Sequence, residues 1–395
     1  MKKYKISEKV LKNHYTSITS CDIINQGEEF IVENKKKMAK WKKALIISFS
    51  SLFALIIVAV GTFYGIFFNE VNAFFTIKQE SNNIYSMTYK NNYFFDDFLE
   101  CGATTDEELQ SFIMKKLLHG LPIDFTLPDY GCSSFTATTN QGEHTFSRNL
   151  DIDFAPIMVV KTFPKNGYSS ISMVNLDALG FSMTYTPSGL MDKLLLLAAP
   201  YIPLDGMNEK GVAICVNMVN GADIQQNTDK IDITTTTLIR LVLDKAQNVN
   251  EAVELIKQYD LHDSTGGPYH FQITDKSGKS VIVEYYKNEI QVIESENNFQ
   301  IMTNHTLNDF EIEQSTFTET HERYNTISTK LSETNGILSV EDSINLLQEV
   351  KLSWGSAENG NEGGALYSVV YNLDKLELQF IYKSSKEKVY KFNLN

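Results

Sequence analysis

Gly131-Cys132-Ser133-Ser134-Phe135-Thr136-Ala137-Thr138-Thr139 runs into Asn140-Gln141-Gly142 and returns as Glu143-His144-Thr145-Phe146-Ser147-Arg148-Asn149-Leu150-Asp151. Two strand-like runs, Ser133–Thr139 and Glu143–Arg148, flank a polar turn ending in Gly, which is a hairpin signal. A hairpin that leaves Cys132 and comes back brings Arg148 and Asp151 toward the cysteine. A guanidinium nearby favours thiolate over thiol, and a carboxylate can orient an amine. The same residues have plainer readings. A single cysteine is ordinarily a small buried hydrophobe, and an Arg–Asp pair on a strand is ordinarily a surface pair worth little.

Downstream of this hairpin the chain alternates strand and helix patterns. Val212–Met218, His270–Ile273, Ser280–Tyr286, Glu289–Glu294, Ala365–Tyr371 and Leu376–Tyr382 read as strands. Thr236–Gln247, Glu251–Tyr259 with Asn250 as cap, Glu322–Leu331 and Ser339–Glu349 read as helices. Clustered strands with helices inserted between them describe a layered α+β body. Loops 152–204 and 305–321 carry no legible code, and no internal repeat is present.

Upstream lies a different chain. Ala44 to Phe68 is a run of 25 uncharged, mostly apolar residues, long enough to span a bilayer. Lys35, Lys36, Lys37, Lys40, Lys42 and Lys43 crowd its N-terminal side, and Glu70 follows it. Positive charge marks the cytoplasmic flank. This predicts a cytoplasmic basic tail (1–43), a transmembrane helix (44–68), an external linker or propeptide-like segment (69–131) and an external body (132–395). A cleaved signal peptide fits less well: the run is long, begins late and lacks a small-residue cleavage site. Within 69–131, Thr104-Thr105-Asp106-Glu107-Glu108 caps a helix expected to reach Leu118, and Pro122 and Pro128 end regular structure.

The net charge is −14, with +6 on residues 1–43 and −20 beyond residue 68. An acidic body repels phosphates, so nucleic acid is set aside as a partner. The spacing of Cys21, Cys101, Cys132 and Cys215 fits no zinc pattern. Cys21 would be cytoplasmic, and the three cysteines on the predicted external side, Cys101, Cys132 and Cys215, cannot all pair, so at least one is a free thiol. Arginine is scarce: only Arg148, Arg240 and Arg323 occur against 32 lysines. That makes each a candidate for a role that needs a planar, permanently charged fork.

Cys132, followed sixteen residues on by Arg148 and nineteen on by Asp151 in a Ser147-Arg148-Asn149-Leu150-Asp151 frame, resembles the N-terminal-nucleophile amide hydrolases. The nearest families are the choloylglycine hydrolases, the acyltransferases that make penicillins (peptidase C45-like) and acid ceramidase. Five more stretches resemble them in the same order: Asp205-Gly206-Met207-Asn208-Glu209-Lys210-Gly211, His270 to Gly278 with Val281 to Tyr285, Met302-Thr303-Asn304, Arg323-Tyr324, and Trp354 with Tyr367 to Tyr371. Ser147 stands where those families usually carry Gly.

The resemblance implies a four-layer αββα sandwich and hydrolysis of non-peptide carbon–nitrogen bonds in linear amides, with no cofactor and no metal. It implies self-cleavage between Gly131 and Cys132, which would free the Cys132 α-amine to act as base for its own thiol. Asp151 would bond that amine, Arg148 would tune the thiol, Asn304 would donate to the oxyanion and Arg323 would stabilise pocket charge. Asn217 is the nearest candidate for a second oxyanion donor, one residue short of the usual spacing. The partner implied is a small N-acyl amide, with residues 44–68 in the membrane. An acyltransferase on the same fold, a papain-like hydrolase pairing Cys132 with His270 or His305, and a non-enzymatic binding domain are the alternatives.

Overall fold

The computed structural model describes residues 20–123, 131–219, 224–264, 267–286, 288–308, 318–355 and 362–394; Pro128, Asp129 and Tyr130 lie outside them. The chain divides into two compact units, residues 1–68 and 69–395.

In the first unit the described element is one helix, α1 (Ser20–Ile66). Its Gly27–Ile66 portion contains an 18-residue stretch of mean hydropathy 2.6 and is long and apolar enough to cross a membrane by length and composition. The helix thus begins well before the apolar run, and the lysine cluster is part of it.

Residues 69–123, which the sequence suggests as a linker, carry regular structure: α2 (Phe68–Thr76), β1 (Lys78–Ser81), β2 (Ile84–Lys90), α3 (Phe95–Cys101) and α4 (Asp106–Lys116). The expected cap at α4 is present. Thr105 accepts from the Glu108 amide at 3.3 Å, satisfying one orphan donor of the first turn, and Glu108 Oε2 accepts from the Thr104 amide, just before the cap, at 2.8 Å.

After β3 (Gly131–Thr138) and β4 (His144–Asp153) come β5 (Ile157–Phe163), β6 (Ser170–Asn175), the short α5 (Leu190–Leu195), β7 (Asp205–Asn208), β8 (Val212–Met218) and β9 (Ile231–Thr234). Next follow α6 (Thr235–Lys245), α7 (Val249–Ile256), β10 (Tyr259–His262), β11 (Tyr269–Asp275), β12 (Ser280–Tyr286), β13 (Glu289–Glu294) and β14 (Ile301–Met302). The chain ends with α8 (Thr318–Glu333), α9 (Val340–Glu349), β15 (Ser353–Trp354), β16 (Gly363–Asn372), β17 (Glu377–Tyr382) and β18 (Tyr390–Asn393). The cap of α7 is Asn248 rather than Asn250: its side chain accepts from the Glu251 amide at 2.9 Å, and Glu251 reaches back to the Gln247 amide at 2.8 Å.

One sheet runs β1-β2-β5-β6-β7-β8-β11-β12-β13; a second runs β14-β3-β4-β16-β17-β18, with β15 paired to β16. Within the first, β2 lies parallel to β5 over seven residue pairs, from Ile84–Ile157 to Lys90–Phe163; the neighbouring pairs are antiparallel. Side chains of the second sheet sort by parity, as the pleat requires. Phe146, Leu150, Tyr367, Val369 and Tyr371 join one large core with residues of the first sheet. Phe135, Ala137, Val370 and Ile381 join a separate core with Ile327 and Leu331 of α8 and with Ile344 and Leu347 of α9. Both faces of this sheet are therefore buried.

Arg240, on α6, is fully buried and ties that helix to the first sheet. It donates to Ser170 Oγ at 2.9 Å, Thr162 Oγ1 at 3.2 Å, Ser172 Oγ at 3.3 Å and the Pro200 carbonyl at 2.8 Å, and pairs with Asp244 at 3.2 Å. Removing it would leave Asp244 charged and buried without its cation. Arg240→Ala is expected to cost about 3–5 kcal/mol in denaturant unfolding, far above a surface substitution.

Candidate active site

Strand β3 fixes the cysteine. Its register against β4 sets Gly131 opposite Asp151, Cys132 opposite Leu150 and Ser134 opposite Arg148. Cys132 and Arg148 thus share the face toward the first sheet, one diagonal step apart. Arg148 Nη2 donates to Cys132 Sγ at 3.3 Å and to the Val216 carbonyl at 2.7 Å. Its Nη1 donates to the Leu204 carbonyl at 3.0 Å and pairs with the Asp205 carboxylate. That carboxylate also accepts from Tyr367 Oη at 2.6 Å and from Tyr371 Oη. Cysteine, arginine, aspartate and both tyrosines are fully buried. An isolated buried charge is very costly; here the cation is met by a carboxylate and two carbonyls.

Three groups grip Cys132 at three points. The thiol takes the Arg148 contact; its amide donates to Asn304 Oδ1 at 2.7 Å, and its carbonyl accepts from Arg323 Nη1 at 2.5 Å. Arg323, on α8, also donates to Ser133 Oγ at 2.9 Å and to Asn304 Oδ1 at 2.9 Å. Asn304 is anchored in turn: its Nδ2 donates to the Met218 carbonyl at 2.7 Å and its amide to Thr320 Oγ1 at 2.8 Å.

Asp151 sits an odd number of residues from Arg148, so it lies on the other face of β4 and does not pair with it. A Cβ placed on Gly131 would stand 3.4 Å from Asp151 Cβ. The Asp151 Oδ1 accepts from the Leu352 amide at 3.2 Å; its Oδ2 is buried with no partner among the described residues. Asn217 is elsewhere: its Nδ2 donates to the carbonyls of Met302 and Thr303, at 3.3 Å each, and makes no hydrogen bond to Cys132.

The histidines weighed as dyad partners are committed to other groups. His270 Nε2 donates to the Thr303 carbonyl at 2.8 Å, and Nδ1 faces Glu284 at 3.2 Å. His305 Nδ1 lies 3.0 Å from Thr303 Oγ1, its ring stacks on His321 at 4.1 Å, and burial holds it down at about 4. Among the described residues neither ring bonds Cys132 Sγ.

Burial pushes the Cys132 thiol up to about 11, against the opposing pull of Arg148 and Arg323. At neutral pH it is a thiol, so nucleophilic use needs a base. Burial likewise pushes Asp151 up to about 7, with Arg323 pulling it down.

Among the named candidates, then, Cys132, Arg148, Asn304 and Arg323 are joined by hydrogen bonds, Asp151 stands beside the Gly131–Cys132 junction, and Asn217 stands apart. Asp205, Tyr367 and Tyr371 carry no role in the sequence reading. Asp205 opens the Asp205–Gly211 stretch, and the two tyrosines sit four apart on one strand, an even spacing that puts both on one face.

Two sheets with a cysteine–arginine centre between them make an α+β body with Cys132 as its nucleophile candidate. The model of the choloylglycine hydrolase family of linear amide C–N hydrolases matches residues 132–343, just over half of the chain, and the chain belongs to that family. The bile salt hydrolase/transferase of Clostridium perfringens (strain 13 / Type A) is 27% identical over 184 residues, 44% of this chain and 53% of that protein. The chain thus spans about half the length of the curated relative it matches. Among solved structures it is similar to a variant of the conjugated bile acid hydrolase from Clostridium perfringens, with TM-score 0.49 and 17% identity, covering 67% of this chain and 92% of that one. It is also similar to the penicillin V acylase of Agrobacterium tumefaciens, with TM-score 0.43 and 16% identity, over 67% and 86% of the two chains.

Asp151 gives a pH test of the intact site. Its folded-state value of about 7 lies above the ordinary 3.8, so its stabilising contribution is complete below the unfolded value and is lost as pH rises through the folded one. In a Cys132→Ala background, Asp151→Asn is expected to raise stability by on the order of 1–4 kcal/mol near pH ~8 and to change little near pH ~4, read by denaturant unfolding.

Proposed function

We propose that this chain is a membrane-anchored cysteine N-terminal-nucleophile hydrolase of linear N-acyl amides, active after it cleaves its own Gly131–Cys132 bond. The observation that carries this is a coincidence at one residue: the family match begins at Cys132, and that cysteine is the one Arg148 bonds through sulfur.

In this reading the body is a four-layer αββα sandwich, with α6 and α7 on the first sheet and α8 and α9 on the second. The Cys132 thiol attacks the Gly131 carbonyl, the peptide C–N bond breaks, and water opens the resulting thioester. The α-amine so released takes the thiol proton when substrate arrives. The thiolate sulfur bonds the substrate's acyl carbon, the amide C–N bond breaks, and the leaving nitrogen receives the proton from the ammonium. Water then hydrolyses the thioester, releasing the acid and restoring the thiol.

Asp151, with its unpartnered buried Oδ2 beside the junction, holds the amine. Arg148 orients the thiol. Asn304 Nδ2 is its donor for the oxyanion, and Arg323 holds the Cys132 carbonyl and Asn304 together. Asn217 is a donor one step removed, through the carbonyls that shape the Asn304 loop. The substrate class is a small N-acyl amide, of which a conjugated bile salt is one example. Anchoring is supported by the apolar helix with its lysine flank; under the positive-inside rule residues 1–43 would lie in the cytoplasm and 69–395 outside. Pairing of β2 with β5 along the whole of β2 supports retention of fragment 1–131 by the catalytic fragment 132–395 after cleavage.

Mass spectrometry of the mature protein tests the processing step. A new N-terminus reading Cys-Ser-Ser-Phe-Thr is expected, absent from Cys132→Ala, with both fragments copurifying under native conditions. An uncut chain that hydrolyses amides would overturn the mechanism, since its base would be missing.

A further inference from the structure

The loop that leaves β14 carries Asn304, and a row of buried side chains on the first sheet grips it. Asn217 of β8 pairs directly with His270 of β11. One strand further, Glu284 of β12 follows Val283, the partner of Phe271, and so stands beside His270. All three reach the same loop. Asn217 Nδ2 donates to the Met302 and Thr303 carbonyls at 3.3 Å each. His270 Nε2 faces the Thr303 carbonyl, an acceptor only, and donates to it at 2.8 Å. The Glu284 carboxylate accepts from the Leu307 amide at 2.7 Å and the Asn308 amide at 3.1 Å, and lies 3.2 Å from His270 Nδ1. The side chains of His270 and Glu284 are 1% and 2% exposed.

Burying a histidine and a glutamate is expensive without partners, and each spends its polar atoms on the other or on this loop. The backbone on either side of Asn304 is therefore pinned, at residue 303 by His270 and at residues 307 and 308 by Glu284. Between the pins, Asn304 reaches Cys132 N and the Met218 carbonyl. A shift of the loop would move the asparagine off the nucleophile, though neither His270 nor Glu284 bonds the cysteine.

We propose that His270 and Glu284 are positioning residues which, by pinning the 303–308 backbone, set the Asn304 side chain against Cys132. The catalytic consequence rests on the amide-hydrolase reading above; the geometric claim does not.

The experiment separates the two. In the full-length chain carrying Cys132→Ala, hydrogen exchange is followed at the 303–308 amides and at the amide of residue 132, with and without Glu284→Gln. The glutamine keeps the shape but replaces one acceptor oxygen with a donor. Faster exchange is expected both in the loop and at residue 132. A purely local structural role would leave residue 132 unchanged, and that result, or unchanged exchange in the loop, overturns the proposal.

In the chain with Cys132 intact, Glu284→Gln is expected to lower kcat at least about tenfold on an N-acyl amide with KM within about twofold. Glu284→Asp, which keeps the carboxylate, is expected to give a smaller change in the same direction in both assays, and it serves if the glutamine variant does not fold. Full activity with a loosened loop would overturn the positioning role. A parent chain that turns over no amide, together with the expected exchange at residue 132, would remove the hydrolase reading and leave the pinning of Asn304 supported.

Discussion

A permanently charged guanidinium buried between two sheets is the constraint on which the rest of the site depends. Arg148 cannot shed its proton, so the protein must meet it with acceptors, and it does so at both Nη groups, while Nε is buried with no partner among the described residues. Asp205 and the Leu204 carbonyl meet Nη1; the Val216 carbonyl and the Cys132 sulfur meet Nη2. The acceptors come from the first sheet and its approach, the arginine and thiol from the second. The sheets therefore pack in one register or leave a charge stranded. Tyr367 and Tyr371, from β16, extend the arrangement by bonding the same carboxylate.

The neutralising carboxylate has a chemical consequence. Because Asp205 balances Arg148, the arginine serves more as a clamp than as an uncompensated charge beside the thiol. Burial outweighs its pull, and Cys132 stays protonated at neutral pH. A buried thiol of that kind needs a base within reach. Among the described residues neither His270 nor His305 bonds it, whereas Asp151 presents a carboxylate oxygen without a partner next to the Gly131–Cys132 junction. That disposition suits an amine at the start of residue 132 better than it suits a distant imidazole. Cys132 itself is held at sulfur, nitrogen and carbonyl oxygen by three different side chains, Arg148 from β4, Asn304 from the loop after β14 and Arg323 from α8.

Much of this was legible because strands obey a period of two and because arginine is scarce. The hairpin from Cys132 to Asp151, β8, β12 and β13 follow directly from residue patterns, and Arg148 and Arg323 stand out in a lysine-rich chain. The residues 69–123 were harder. Their strands β1 and β2 are short or mixed in pattern and become strands by pairing with one another and with β5, far along the chain. Strand β5 is nearly all buried, and Ile157-Met158-Val159-Val160 shows no alternation to read. Parity also separates two residues that the hairpin brings toward Cys132: the odd spacing of Arg148 and Asp151 sends them to opposite faces, and Arg148 finds its carboxylate in Asp205. Asn217 illustrates a contact no spacing can reveal, since its Nδ2 partners are backbone carbonyls at the end of β14 and in the loop after it.

The most direct measurement is the location of the acyl group during turnover. Full-length protein mixed with an N-acyl amide and quenched in acid within the first turnover can be digested and weighed by mass spectrometry. The predicted result is the acyl mass as a thioester on the Cys132 sulfur, in a peptide whose N-terminus is Cys132 itself. Acyl transfer to another residue, or undiminished hydrolysis by Cys132→Ala, would contradict a mechanism centred on this cysteine.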